Sequence, residues 1–434
     1  MRQRTRIALA GVVLCATGVA GAQSKNDLLS IYRDAVTNDS VFASARFARQ
    51  AAEERTPQAR SALLPFVSAG ADYTRSYVHT DPPGTSRSFN SWGPTITASM
   101  PLYRPQNWDS LDQAKLSVTS AEASLAQARQ DLILRVTQAY FDVLAAQDNV
   151  TAIQANKTAV AEQLAQARRE FEVGTKTIVD THEAQARFDQ IVAQEQVALG
   201  DLVVRSNALR SIISREPGAV LPLRDAPTLT QPAPESIDAW AKQAEDASPL
   251  VAIARAGAQI AQIETRRNRH GHWPTLDLVA SANADRGSGV NTRASSVGVQ
   301  LNVPIYSGGL IQSRVREALA NEEKARQDLE SARRNAAQSA RQAYTGTNFG
   351  LSQVRALESA EVSAKSQLDS TRLGYQVGVR INLDVLNATT QLFNTQRDLK
   401  KARYDFLVNG LRLKSAAGSL EEKDVDAINA LLAR

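Results

Sequence analysis

The sequence is poor in three things that ordinary multidomain chains of 434 residues use. Cysteine occurs once, at Cys15, inside a segment that reads as removable. An exported chain without disulfides has to be held by packing or by association with other copies. Aromatic residues make up only 5% of the chain, too few to anchor several compact cores. Proline is missing from 106–216 and from 305–434, although 15 occur elsewhere. Proline interrupts helix interiors and central strands, so stretches of this length without it permit unbroken helices. Length alone suggests two or three globular domains, but these shortages argue against a string of α/β units.

Two further absences narrow the function. Past the N-terminus no run of ~20 apolar residues could cross a bilayer as a helix, so only strands could enter lipid. Nothing of the form G-x-S-x-G or H-E-x-x-H is present, and the chain reads as no enzyme. His270-Gly271-His272 has no neighbouring Cys or His to complete a ligand set, and His79 and His182 stand alone. No metal and no cofactor is expected, and the histidine pair reads as a helix-to-strand junction.

Residues 1–22 have the layout of a secretory signal. Arg2, Arg4 and Arg6 form a basic start, Ile7 to Val19 an apolar centre, and Ala20-Gly21-Ala22 a small-residue cleavage site. Without them the formal charge of +5 falls to about +2, which gives no drive toward nucleic acid. The basic cluster Arg266, Arg267 and Arg269 is expected to face lipid headgroups instead.

What is present is a duplication. Gln138-Ala139-Tyr140 recurs as Gln342-Ala343-Tyr344, and Phe171-Glu172-Val173-Gly174 recurs as Tyr375-Gln376-Val377-Gly378. Asp180 matches Asp384 at the same spacing, and Pro101-Leu102-Tyr103 matches Pro304-Ile305-Tyr306 almost in step. The expected organisation is a first repeat at 23–216, a proline-rich connector at 217–235, and a second repeat at 236–434 with a C-terminal equatorial segment. Each repeat reads as helix, strand, strand, long helix, short break, long helix.

Four segments alternate apolar and polar residues with a strand's period of two. They begin at Phe66, Thr95, Leu276 and Val297, the last running to Ile305. Connectors 80–90 and 285–293, rich in Gly, Ser, Pro and Asn, read as hairpin loops. Alternation by itself fits either membrane strands or a soluble sheet with one wet face.

The helical remainder separates these readings. Residues 106–173, as one helix, would extend ~100 Å. Leu111, Ala114, Val118, Ala121, Leu125, Ala128 and Leu132 keep a heptad-like spacing, which Val136, Tyr140 and Val143 continue. Val354, Leu357, Ala364, Leu368 and Thr371 do the same in the second half. Stripes this narrow and alanine-rich need neighbours of the same kind. Four strands cannot close a barrel, and open edges are not tolerated in lipid, so a membrane form must pool strands from several copies.

Three segments then carry a resemblance to the TolC family of outer-membrane channels. They are Pro304-Ile305-Tyr306-Ser307-Gly308-Gly309, the stretch GYQVGVRINLDVLNATTQLFN from Gly374, and ARYDFLVNGLRLKSAAG from Ala402, with AYFDVLAAQDNV and FEVGTKTIVD in the first half. The resemblance implies a homotrimer, mixed α and β, whose 12-stranded outer-membrane barrel is continuous with a 12-helix periplasmic barrel. It implies a passive exit duct for efflux or type I secretion. Its partners would be outer-membrane lipid, a periplasmic adaptor (membrane fusion protein) and an inner-membrane RND or ABC transporter. A periplasmic coiled-coil adaptor would share the helical hairpins, but the compact β domains of adaptors are missing.

The resemblance also implies where the duct closes. Gly174 and Gly378 become the reversals of two hairpins at the periplasmic tip. A restraint pairing an Asp with a Tyr falls on Asp180 and Tyr375. A second pairs Arg380 with a hydroxyl residue just before that Asp, but Val179 stands there and cannot accept a hydrogen bond. Arg380 is expected to turn to Asp180 or to a backbone carbonyl. Two acidic rings at the entrance fall on Asp384 and Asn387, so one ring is lost and cation preference should be weaker than with two. From the residues alone, Asp180 and Asp384 also fit as helix N-caps, and Tyr375 as packing at a helix end.

Overall fold

A computed structural model describes residues 26–433, apart from 83, 176, 225–226 and 288–289. The expected signal at 1–22 lies outside the described residues.

The chain begins with three helices, α1 (Leu28–Asn38), α2 (Ser40–Glu53) and α3 (Arg55–Ser61), followed by strands β1 (Phe66–Thr80) and β2 (Thr85–Tyr103). Then come α4 (Pro105–Glu172) and α5 (Ile178–Ile213), the first long hairpin. The second half repeats the plan with α6 (Ile237–Ala247), α7 (Pro249–Arg269), β3 (Thr275–Gly287), β4 (Val290–Asn302), α8 (Leu310–Gln376), α9 (Asn382–Ala416) and a short α10 (Glu422–Asn429). The proline-free stretches are indeed helical. α4 has 68 residues and α8 has 67, each ~100 Å long. Pro105 opens α4 at a position where its missing N–H costs nothing.

The four strands form one antiparallel sheet in the order β1-β2-β3-β4. Pro94 and Pro101 both lie in β2, an interior strand that proline should weaken. The ladder adapts at each. Its β2–β3 pairs pass from Trp92–Arg286 to Thr95–Asn283 around Pro94, and a register shift falls between Pro101 and Tyr103. At the foot of the sheet, Arg104 grips Asp277 with two hydrogen bonds of 2.8 and 2.7 Å, fixing the exit of β2 against β3.

Two strand expectations need correction. Most of 80–90 and part of 285–293 are strand rather than loop, because β1–β2 pairing continues up to Thr80–Thr85 and β3–β4 pairing up to Gly287–Val290. Serine, threonine and asparagine on an exposed ladder satisfy their backbones as well as apolar residues do, so the polar composition marked wet strand ends, not turns. In the other direction, β4 stops at Asn302, leaving Val303 and Ile305 outside it.

The largest core lies at mid-height on the long helices. Leu132, Val136, Tyr140 and Phe141 of α4 pack with Leu28 and Ile31 of α1, Tyr404 and Leu411 of α9, and Val425 and Ile428 of α10. The connector joins this belt through bridges from Val220 to Asn26 and from Leu223 to Leu432. Tyr140 ties it down with a 2.7 Å bond from its hydroxyl to the Leu221 carbonyl. Above and below the belt the protomer is thin. Val197 and Val362 are 75% and 68% exposed, as expected of rods that find their remaining neighbours in other copies.

The arginine cluster is partly engaged within the protomer. Arg266 pairs with Asp109 at 2.6 Å and with Asp112 at 3.3 Å, and Arg267 pairs with Glu264 at 2.9 Å. Asp109 is buried and also holds His270, so Arg266 ties α7 to α4, whereas Arg267 is paired within its own helix and Arg269 stays exposed. His270–His272 forms a single 3-10 turn between α7 and β3, the junction that the sequence suggests.

Candidate functional site

The end of the molecule away from the sheet consists of two reversals, α4 to α5 and α8 to α9. Both are built alike. Gly174 and Gly378 adopt φ of +76° and +82°, the left-handed region open to a residue without Cβ. Around each, the two carbonyl-capping bonds of a Schellman motif close the preceding helix. Thr175 N donates to Glu170 O and Gly174 N to Phe171 O, while Val379 N donates to Gly374 O and Gly378 N to Tyr375 O. The repeated V-G in the sequence is thus a repeated helix stop.

The helices that follow start differently. In the first hairpin Asp180 reaches back to Thr177, accepting from its backbone N at 3.3 Å and its hydroxyl at 2.9 Å. Asp180 and Asp384 are both first-turn residues, where a carboxylate complements the helix dipole, rather than the N-caps themselves. Val179 is 57% exposed and offers Arg380 nothing.

The second hairpin is tied to the first by side chains. Tyr375, buried at the end of α8, donates its hydroxyl to Glu170 Oε2 at 2.5 Å, and the Asp180 charge also acts on it. Burial raises the tyrosine pKa, and the Glu170 bond and charge raise it further, so the phenol keeps its proton across the physiological range. Arg380 reaches Asp384 at 3.8 Å, in place of Asp180 or a backbone carbonyl. Asp384 stands four residues further along the same hairpin, whereas Asp180 is already engaged by Thr177. Asn387 accepts from Arg187 at 3.1 Å, so the position of the missing acid holds an amide in contact with a cation.

Three participants were not visible in the sequence pattern: Glu170, Gln163 and Asn382. Asn382 opens α9 and is fully buried. Its Oδ1 accepts from Gln163 at 2.7 Å and its Nδ2 donates to the Asp180 carbonyl at 3.4 Å. The signal was available, since the repeat register places Ile178 opposite Asn382, and a polar residue in an apolar slot marks a changed environment. Beneath these links lies an apolar seam, in which Leu386 of α9 packs among Val160, Leu164, Ala184 and Ile191 of the first hairpin.

The chemistry available here is mechanical. Among the described residues no cluster of His, Cys, Asp and Glu could hold a metal ion. What the arrangement can do is hold two long hairpins together by a few polar bonds over a thin apolar seam, and release them.

The outer membrane efflux protein family matches residues 31–215 and 240–419. The chain is 35% identical over 412 residues to the outer membrane protein TolC of Vibrio cholerae, covering 93% of each. It is 31% identical to the alkaline protease secretion protein AprF of Pseudomonas aeruginosa, covering 93% of this chain and 86% of that one. The crystal structure of the Campylobacter jejuni CmeC outer membrane channel superposes with a TM-score of 0.81 at 16% identity, over 100% of this chain and 98% of that one.

Proposed function

Because the chain belongs to the outer membrane efflux protein family, we propose that three copies join their sheets and rods into one hollow cylinder, through which cargo leaves the cell without entering the periplasm. The protein is an outer-membrane exit duct of the kind that serves efflux pumps and type I secretion. The carrying observation is the join of a four-stranded sheet, open at β1 and β4, to helices of 68 and 67 residues. The sheet is too small to close alone, and the rods are long enough to leave the bilayer far behind.

Lipid contact is supported by an aromatic cluster where helices meet strands. Tyr103, Trp108, Trp273 and Tyr306 all stand within a few residues of strand ends and are between 43% and 88% exposed. Aromatic rings favour the headgroup level of a bilayer. The strands, at 13 to 19 residues, exceed the ~10 needed to span, so the hairpins project beyond the outer surface.

At the far end, the two reversals form the entrance. It is shut when the second hairpin lies on the first and opened when a periplasmic adaptor and an inner-membrane transporter, RND or ABC, draw the hairpins apart. Relatives named for both kinds of export support either partner. Energy comes from the transporter, and the duct acts as a valve. Deleting the gene and scoring both susceptibility to large antibiotics and loss of a secreted protein tests the reading. Unchanged values for both, or a heat-insensitive monomer in the soluble fraction, would defeat it.

A further inference from the structure

We propose that Asn382 is a polar latch that fixes the register of the second hairpin on the first, and that it must release for the entrance to dilate. The inference rests on the reading of the two reversals as the entrance.

Asn382 is 0% exposed and stands at the first position of α9, immediately after the reversal. Both ends of its amide are spent on the other hairpin: Oδ1 receives Gln163 of α4, and Nδ2 reaches the Asp180 carbonyl in α5. Both bonds agree on which end of the amide is oxygen. The internal repeat places Ile178 at the same register, and that side chain is 42% exposed. The two halves therefore treat one position in opposite ways, outward and apolar in the first, inward and polar in the second.

Physical chemistry gives this difference a purpose. The seam around Leu386 is apolar and non-directional, so it tolerates sliding of one hairpin along the other. Hydrogen bonds do not, because they weaken steeply with misalignment. A buried amide is acceptable only while its partners stand in place, so Asn382 penalises every register but one. Once the hairpins part, water replaces both bonds, and the latch exerts no hold on the open form. Tyr375–Glu170 closes the hairpin ends, and Asn382 sets their alignment.

The test uses the full-length trimer in planar bilayers, with Asn382→Ala, Gln163→Ala and the double variant. Asn382→Ala, which loses two modest hydrogen bonds, should raise the time-averaged conductance of the resting duct by about tenfold, and Gln163→Ala, which loses one of them, should raise it by less. The double variant should go no further than Asn382→Ala alone, because that change already removes the bond to Gln163. The amount of heat-modifiable trimer should stay at the parental level. If Asn382→Ala does not assemble, Asn382→Ile, which restores the residue type of the repeat without its bonds, should show the same rise. Tyr375→Phe with Arg380→Ser serves as a reference for the entrance itself. If that reference opens the duct while the Asn382 and Gln163 variants gate like the parent, the latch is wrong and the entrance stands. Effects of Asn382→Ala and Gln163→Ala that simply multiply would also overturn the latch. Should the reference remain shut as well, both readings fall together.

Discussion

The hydroxyl of Tyr375 and the carboxylate of Glu170 meet at 2.5 Å across the two hairpins, although 205 positions separate them in the chain. The bond joins the last turn of α8 to the last turn of α4, just before each reversal. A hydroxyl held by a carboxylate is worth about twice an ordinary neutral bond, and here it stands at the end of a long lever.

Removing the hold at this end is expected to loosen the resting entrance. In the Tyr375→Phe, Arg380→Ser double variant, the Tyr375–Glu170 bond accounts for most of the change, about 1.5–3 kcal/mol for a bond to a charged group. Arg380 contributes less, being 61% exposed on its side chain and 3.8 Å from Asp384. Single-channel recording and uptake of bulky antibiotics check this. Conductance and uptake equal to the parent's would show that the bond does not restrain the duct.

The same bond predicts an alkaline response. Tyr375 has a pKa above the ordinary 10.0, through burial first and Glu170 second. A group whose value is raised on folding contributes stability that is complete below the unfolded value and is lost as pH climbs above it. Resting conductance should therefore be independent of this tyrosine from neutral pH up to about 10 and should rise beyond. Tyr375→Phe should lack the alkaline step. A step of equal size in that variant would assign it to another group.

Charge at the proposed entrance is more balanced than one acidic ring suggests. Asp384 has Arg380 beside it, and Asn387 has Arg187. Cation preference should accordingly be slight in the parent, grow in Arg380→Ala, and vanish in Asp384→Asn. Reversal potentials under a salt gradient measure all three. Cation preference that survives Asp384→Asn unchanged would show that the narrowest charges lie elsewhere.

At the belt, Tyr140→Phe leaves the Leu221 carbonyl without its donor while keeping the ring packed on Phe141. The expected cost is about 1 kcal/mol, felt locally where the connector docks. Limited proteolysis should cut within 215–235 faster than in the parent, with gating unchanged. Equal cutting rates would mean that the bridges at Val220 and Leu223 hold the connector unaided.

Much of this architecture is legible in the chain because its strongest signals are long. The first proline-free stretch, stopped at the repeated V-G, gives α4 nearly to the residue, and the second shows that α8 is long without fixing where it begins. Period-two alternation finds all four strands but misplaces their ends, because a wet ladder and a turn have the same polar composition. The tip is harder. Gly174 and Gly378 declare themselves by repetition, whereas Glu170, Gln163 and Asn382 matter only through partners from the other half of the chain. Arg380 shows the same limit, because several partners were open to it in the sequence and only the fold brings it to Asp384.

The two bare margins of the sheet have a genetic consequence. β1 of one molecule can be completed only by β4 of another, a head-to-tail joint that returns to its origin after three steps. A single subunit with a damaged margin leaves a slit in the whole ring, so it disables two healthy companions as well as itself. Co-expressed in equal amount, such a mutant would leave only about one ring in eight intact, and its phenotype would be dominant rather than recessive.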